Sequence, residues 1–165
     1  MIRKIEDFLK AYGHESEGTL KYLKVLTDES LGQQVADGHW NLGKLAWHIT
    51  TTVPEMMGKT GLALDVLNHE TPMPATAAEI AAAYEKVTKE LLGAVKVQWD
   101  DASLEVEDEM YGLTWKRGVT LGVLINHEVH HRGQMSVLMR QAGLTVPGLY
   151  GPAKEEWAKF GMEAP

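Results

Sequence analysis

Residues 120–142 read TLGVLINHEVHHRGQMSVLMRQA, the strongest helical pattern in the sequence. On a helical wheel of about 100° per residue, five residues of this segment fall within about 40° of one direction and form a largely apolar stripe. The stripe consists of Leu124, His131, Met135, Leu138 and Ala142. This pattern predicts a long helix that packs against a core and carries a histidine on its buried face.

Working outward, the same period predicts helices over residues 2–26, 41–58 and 76–97, and a short final helix over 153–160. Asn41 is placed to cap the second helix, and Thr76 with Glu79 has the spacing of a capping box. Pro54 is expected to kink the second helix or end it early. Residues 100–119 are predicted to be irregular or briefly extended.

Four long helices with little strand signal predict an all-α fold, a four-helix bundle with a small C-terminal addition. The length of 165 residues fits a single domain over residues 1–165, and 44% apolar with 24% charged residues is a globular composition. No stretch is apolar enough to span a membrane, and the acidic N-terminal segment does not resemble a signal peptide. We therefore expect a cytoplasmic protein without a membrane partner.

The net charge and the lack of cysteine exclude several classes of protein function. The net charge of −7 argues against a general nucleic-acid binder, because phosphate binding depends on clustered lysine and arginine. The chain has no cysteine, so disulfides, thiolate nucleophiles and cysteine-bound zinc are excluded. Any transition metal must be held by histidine, aspartate or glutamate.

The histidines of the strongest helix predict a metal site. His127 and His131 lie one turn apart, so their nitrogens can reach one ion, whereas His130 points about 100° away from His131. His48 is the candidate for a third ligand because its helix face is a mixed polar stripe. Glu55, two turns further on, is expected to line a pocket or meet solvent rather than bind the same ion.

Other interpretations remain open at this point. The two histidines of the strongest helix can be hydrogen-bonded core residues, and His48 can be a surface residue. The segment from His127 to His131 also matches H-E-x-x-H, in which Glu128 would act as the general base of a zinc protease. The longer protease pattern fails, because Gln134 and Val137 stand where it needs glycine and histidine.

Three stretches give the chain a resemblance to a known family. They are Trp40-Asn41-Leu42-Gly43-Lys44-Leu45-Ala46-Trp47-His48-Ile49, His127-Glu128-Val129-His130-His131-Arg132-Gly133-Gln134, and Val146-Pro147-Gly148-Leu149-Tyr150-Gly151-Pro152 followed by Glu156-Trp157. In order and spacing the chain resembles the DinB-like family of small bacterial metalloproteins. The His-His-Arg-Gly-Gln helix is the most specific of the three segments.

The resemblance implies an up-down-down-up four-helix bundle with one divalent ion bound by His48, His127 and His131. Zinc is the expected ion, with nickel, iron or manganese as alternatives, because imidazole suits several first-row metals. The implied function is transfer of a low-molecular-weight thiol to a small electrophilic substrate. Two alternatives are a metal-dependent hydrolase, with Glu128 or metal-bound water as the base, and a non-catalytic structural or sensor protein.

The resemblance also implies a homodimer, and the tryptophans offer modest support because this residue is enriched at interfaces. Trp40, Trp47, Trp115 and Trp157 are predicted to lie near element ends or off the ligand face. Two neighbours of the histidines carry further expectations. Arg132 is expected to reach an anionic group or pair with an acid on another helix, and Gly133 to permit the close approach of another element.

Overall fold

Four long helices make up most of the protein. The computed structural model describes residues 1–164 and has α1 at Ile5–Leu23, α2 at Leu42–Gly58, α3 at Ala77–Gln98 and α4 at Arg117–Gln141. The predicted helices are confirmed, with ends displaced by a few residues. The short final helix is also present, as a 3-10 helix at Lys154–Phe160.

Local capping explains where two of the helices begin. The Asn41 side chain accepts a hydrogen bond from the Lys44 backbone N–H at 2.8 Å, and this bond starts α2. Thr76 and Glu79 form the predicted capping box at the start of α3. Both helix starts were therefore encoded within a few residues of sequence.

Helix α2 does not end at Pro54 but continues to Gly58. A proline inside a helix removes one backbone hydrogen bond and crowds the preceding turn. Val53, Met56 and Met57 beside it are buried in the core. Packing on this face holds the helix together across the missing bond, so the expectation of an early end was wrong.

The contacts between helix ends define the topology. Four hydrogen-bonded pairs join them, namely Ile2 with Gly118, Ala77 with Asp28, Arg117 with Thr60, and Gln98 with Ala63. The first pair places the starts of α1 and α4 together, and the last places the ends of α2 and α3 together. The pair of Ala77 with Asp28 brings the end of α1 to the start of α3. The pair of Arg117 with Thr60 brings the end of α2 to the start of α4. The bundle is thus up-down-down-up, with α1 and α2 each packed between α3 and α4.

A small hairpin follows α3 in the segment predicted to be irregular or briefly extended. Strands β1, Glu107–Met110, and β2, Leu113–Lys116, pair antiparallel after a 3-10 turn at Ala102–Glu105. The two turn residues, Tyr111 and Gly112, have φ angles of 56° and 78°. Two consecutive positive φ angles are the signature of a type I′ turn, which matches the twist of paired strands.

Helix α4 buries a different stripe from the predicted one. Leu124, Met135 and Leu138 are buried as expected, but Glu128 and Arg132 are each only 2% exposed and His131 lies at the rim. Helical periodicity assigns charged residues to the solvent face, which holds only where they lack buried partners. The two apolar clusters of the core, one toward each end of the bundle, meet around this charged pair. None of the described helices is long and apolar enough to span a membrane.

Candidate metal centre

Helices α2 and α4 bring three imidazoles together at the rim of the bundle. His48 lies in the second turn of α2, and His127 and His131 lie one turn apart on antiparallel α4. The Nε2 atom of His127 is 3.1 Å from Nε2 of His48 and 3.2 Å from Nε2 of His131. One ring nitrogen of each residue lies within 4.8 Å of the other two.

The separations between these nitrogens fit a single metal ion. Two imidazole nitrogens bound to one zinc at about 2.0–2.1 Å lie about 3.3 Å apart at the tetrahedral angle and about 2.9 Å apart at a right angle. The distances of 3.1 and 3.2 Å fall between these limits. A three-histidine group of this geometry could hold one ion and leave its remaining positions open.

Gln134 sets the protonation of one of the three rings. Its Oε1 atom lies 2.7 Å from Nδ1 of His131. An amide oxygen can only accept, so Nδ1 carries the proton and the lone pair of the neutral ring is on Nε2. That lone pair is directed at the other two imidazoles, as metal binding requires.

Electrostatics keeps the three rings uncharged at neutral pH. Burial, together with the neighbouring His131 and His48, lowers the pKa of His127 to about 4. Burial also lowers the pKa values of His48 and His131. Neutral imidazole is the form that binds metal, so the cluster is prepared for an ion without first releasing protons.

Trp40 covers this cluster, a placement that the sequence did not reveal. Its ring centroid is 4.9 Å from that of His48 and 6.2 Å from that of His131. Lys44 lies over the same indole, with Nζ 5.0 Å from the ring centroid. Position 40 precedes the cap of α2 and carries no helical period, so only the folded chain shows that the residue reaches both helices.

Glu55 lies where the sequence predicted, in the wall of a cavity. It lines a space of about 500 Å³ together with His48 and His127. Its Oε2 accepts a hydrogen bond at 2.5 Å from the Tyr111 hydroxyl, which the β1–β2 turn brings to α2. Tyr111 was missed in the sequence, because its contact with α2 depends on where the hairpin docks.

Glu128 lies in the core among hydroxyl groups. Its Oε1 accepts hydrogen bonds from the Thr19 hydroxyl at 2.7 Å and the Tyr84 hydroxyl at 2.5 Å. Burial raises its pKa despite these bonds. Its Oε2 atom and the Tyr12 hydroxyl are both buried without a partner. These contacts assign Glu128 to the interior of the bundle, and its role as a general base stays a prediction.

The neighbours of the ligand candidates have separate partners. His130 is not one of the three converging rings, and its Nε2 lies 3.3 Å from the Gln134 side chain. Arg132 pairs with Glu15 on α1 at 2.5 Å, which is the interhelical ion pair that the sequence left open. The expectation for Gly133 was wrong, because a Cβ there would meet nothing within 4 Å.

The fold and the three-histidine group define a class of helical bundle that could bind a divalent metal between two antiparallel helices. The sequence model of the DinB family matches residues 1–164. The chain is also 45% identical over 165 residues to the uncharacterized protein YrdA of Bacillus subtilis, covering all of this chain and 99% of YrdA. The protein therefore belongs to the DinB family.

Solved structures agree with this assignment. A DinB-like protein from Bacillus cereus superposes with a TM-score of 0.87 at 47% identity, covering 91% of this chain and all of that one. The DinB-like protein YjoA from Bacillus subtilis superposes with a TM-score of 0.70, covering 87% of this chain and 96% of its own. At 17% identity, YjoA supports the fold alone.

Proposed function

We propose that the protein is a metal-dependent enzyme that uses His48, His127 and His131 as its ligands and acts on small molecules. The observation that carries this proposal is the convergence of three neutral Nε2 atoms at the rim of the bundle. A purely structural ion is normally enclosed by four protein ligands, whereas catalytic sites use three and leave a position open. Zinc is the proposed ion, with nickel, iron and manganese as alternatives.

The proposed reaction is transfer of a low-molecular-weight thiol to an electrophile. A divalent ion held by the three imidazoles would lower the pKa of a thiol or water bound at its open positions. In the transfer, the thiol loses its proton to solvent and its sulfur forms a bond to an electrophilic carbon. The leaving group departs with the bonding electrons, so there is no net oxidation or reduction and no other reactant is needed.

The chain supplies orientation and an uncharged environment for this chemistry. Gln134 holds His131 in the Nδ1–H form, and partial burial disfavours protonation of all three rings. Trp40 packs against one side of the cluster. The absence of cysteine is consistent with a reaction whose sulfur comes from a small molecule. Hydrolysis with Glu128 as base receives no support from its position among Thr19 and Tyr84.

Metal content tests the ligand assignment. We expect about one divalent ion per chain in protein purified without a histidine tag. The double variant His127→Ala, His131→Ala should lose it. The matched control is His130→Ala, which removes a histidine of the same helix that lies outside the group. Undiminished metal in the double variant would rule out this site.

Activity assays then separate the candidate functions. Thiol-dependent conjugation of 1-chloro-2,4-dinitrobenzene, lost on metal removal, is the result expected for S-transfer. Ester or amide cleavage without thiol would support a hydrolase instead. If both activities are absent while metal removal lowers the melting temperature, the ion has a structural or sensor role and the proposed enzyme is rejected.

A further inference from the structure

The cavity that Glu55 lines opens to solvent between two exposed side chains. This Glu55 cavity has a volume of about 500 Å³ and has His48 and His127, two of the three converging histidines, in its wall. Among the described residues of the wall, only His69 and Tyr111 are exposed, whereas all the others are buried or half-buried. An exposed wall residue lies where a cavity meets solvent, so these two side chains mark the mouth of the Glu55 cavity.

Tyr111 lies at the end of the cavity that is distant from the histidines. Its hydroxyl donates to Oε2 of Glu55 at 2.5 Å. Glu55 follows His48 by seven residues on α2, which corresponds to about 10 Å along the helix axis. A molecule that enters by this mouth therefore meets Tyr111 before it reaches His48 or His127.

The two segments that form the mouth are both anchored to the bundle. Met110, the residue before Tyr111, is 0% exposed, so the tip of the hairpin cannot swing outward without bringing an apolar side chain into water. The loop segment that carries His69 is tied to α2, because the Trp47 Nε1–H donates to the Thr71 carbonyl oxygen at 3.0 Å. A mouth whose two sides are anchored keeps its width, and a preformed opening discriminates between molecules by size.

The backbone of Tyr111 has a conformation that favours other residue types. Its φ angle is 56°, and the first central position of a type I′ turn is usually asparagine, aspartate or glycine, because a larger side chain is crowded there. Burial does not offset this cost, since 55% of the residue is exposed. The contacts that the tyrosine gains are with α2, where its hydroxyl bonds Glu55 and Lys59 Nζ lies 5.1 Å from its ring centroid. A strained residue held in a cavity wall indicates a role in what that cavity admits.

We propose that Tyr111 is the size-determining residue of the metal site, because its ring narrows the mouth through which molecules reach the three histidines. The class of ligand admitted is a small metal-binding molecule without a bulky group beside its donor atom. The inference rests on the proposed function for the position of the ion, and it adds which residue limits the molecules that reach that ion. It also gives a binding role to a tyrosine that would otherwise only tie the hairpin to α2.

Titration of the Co²⁺-loaded protein with imidazole and with 4-phenylimidazole tests this role without catalysis. Both probes bind a metal through an imidazole nitrogen, the second carries an additional phenyl ring, and the visible absorption of Co²⁺ reports their binding. In the unaltered protein we expect 4-phenylimidazole to bind more weakly than imidazole. Tyr111→Gly should raise the affinity for 4-phenylimidazole by about tenfold and change that for imidazole by less than about twofold, since only the larger probe is obstructed.

The variants are chosen so that the hairpin is retained. Glycine and asparagine are both favoured at the first position of this turn, so Tyr111→Gly and Tyr111→Asn should fold, and both should shift the ratio of the two affinities in the same direction. Leu113→Gly is the matched control, because Leu113 belongs to the same hairpin, is 61% exposed and lies outside the cavity wall. This control should leave the ratio unchanged.

An affinity ratio that is the same in the unaltered protein and in Tyr111→Gly would overturn the proposal. That result is expected if molecules reach the ion from the Trp40 side, or if Tyr111 only ties the hairpin to α2. An equal shift in Leu113→Gly, or no binding of imidazole to the Co²⁺-loaded protein, would also overturn it. Failure of the proposed function is distinguishable, because a protein that binds no Co²⁺ at the three histidines gives no visible spectrum to titrate.

Discussion

Glu128 and Arg132 form the charged centre of an otherwise apolar bundle interior. Glu128 receives hydrogen bonds from Thr19 and Tyr84, and Arg132 donates to the Thr19 hydroxyl at 3.1 Å and to Glu15. Arg132 is therefore paired with a carboxylate on α1, and Glu128 is held by hydroxyl groups from α1 and α3. Glu128 Oε2 and the Tyr12 hydroxyl already lie without a partner, and removal of a bonded member would leave further buried polar groups unpaired, which is strongly unfavourable.

Removing the Glu128 carboxylate should destabilise the protein. Glu128→Ala leaves the hydroxyls of Thr19 and Tyr84 without their acceptor in a buried space, and we expect a loss of about 2–3 kcal/mol in the free energy of unfolding. Glu128→Gln keeps an acceptor oxygen and should lose less. Chemical denaturation followed by circular dichroism measures both. Equal stability of the alanine variant and the unaltered protein would contradict the network.

The lowered histidine pKa values predict how the stability of the metal-free protein depends on pH. The ordinary pKa of an unfolded histidine is about 6.5, whereas that of folded His127 is about 4. Between these values the unfolded chain binds more protons, so stability falls as the pH decreases from about 6.5 toward 4. Above about pH 6.5 the His127 ring is neutral in both the folded and the unfolded chain, so it no longer makes stability depend on pH.

Comparison with the His127→Gln variant separates the contribution of His127 to the pH dependence of stability from that of the other titrating groups. The variant has no group at position 127 to protonate, so its stability should fall less steeply than that of the unaltered protein between pH 6.5 and 4. Denaturation midpoints at several pH values, with chelator present throughout, give the two slopes. Parallel curves would show that His127 titrates normally in the folded state.

At the scale of single elements, two glycines of α4 provide opposite tests of packing. A Cβ at Gly118 would lie 2.3 Å from the Ile2 carbonyl oxygen, whereas a Cβ at Gly133 would meet nothing within 4 Å. Gly133→Ala should therefore stabilise α4 by about 0.5–1 kcal/mol through helix propensity. Gly118→Ala should destabilise the protein, because the backbone of the N-terminal segment must move.

Thermal denaturation of the two variants decides this prediction, each serving as the control for the other. Both variants replace glycine by alanine in the same helix, so a difference in sign reports the contacts of position 118, of which the Ile2 carbonyl oxygen is the nearest. A melting temperature raised equally by both substitutions would show that the N-terminal segment does not pack tightly against α4.

Elements whose signals are local could be predicted from the sequence. The helix caps at Asn41 and Thr76 are recognised from a few neighbouring residues, and the long helices from their apolar period. The spacing of the histidines on α4 requires only the geometry of a helix. Features that depend on partners distant in sequence could not be predicted. Trp40 meets the histidines, and Arg132 and Glu128 are buried, only because other helices supply their contacts.

At the scale of the whole molecule, we predict a homodimer, as the family resemblance implies. The tryptophans give less support than the sequence suggested, because Trp47 is 9% exposed and donates to the Thr71 carbonyl within the chain, while Trp40 lies beside the histidines. Isologous dimers are the commonest soluble assembly. Sedimentation at micromolar concentrations should give twice the chain mass, and a species near 18.3 kDa across that range would reject the dimer.

The long path along the chain between His48 and His127, 79 residues, has a consequence for the kinetics of folding. The ligands on α2 and α4 cannot meet until both helices have docked, which is a late event when loop closure must come first. A contact absent from the folding transition state changes the unfolding rate and leaves the folding rate almost unaltered. Bound metal should therefore slow unfolding in stopped-flow experiments, whereas refolding should proceed at the rate of the metal-free protein.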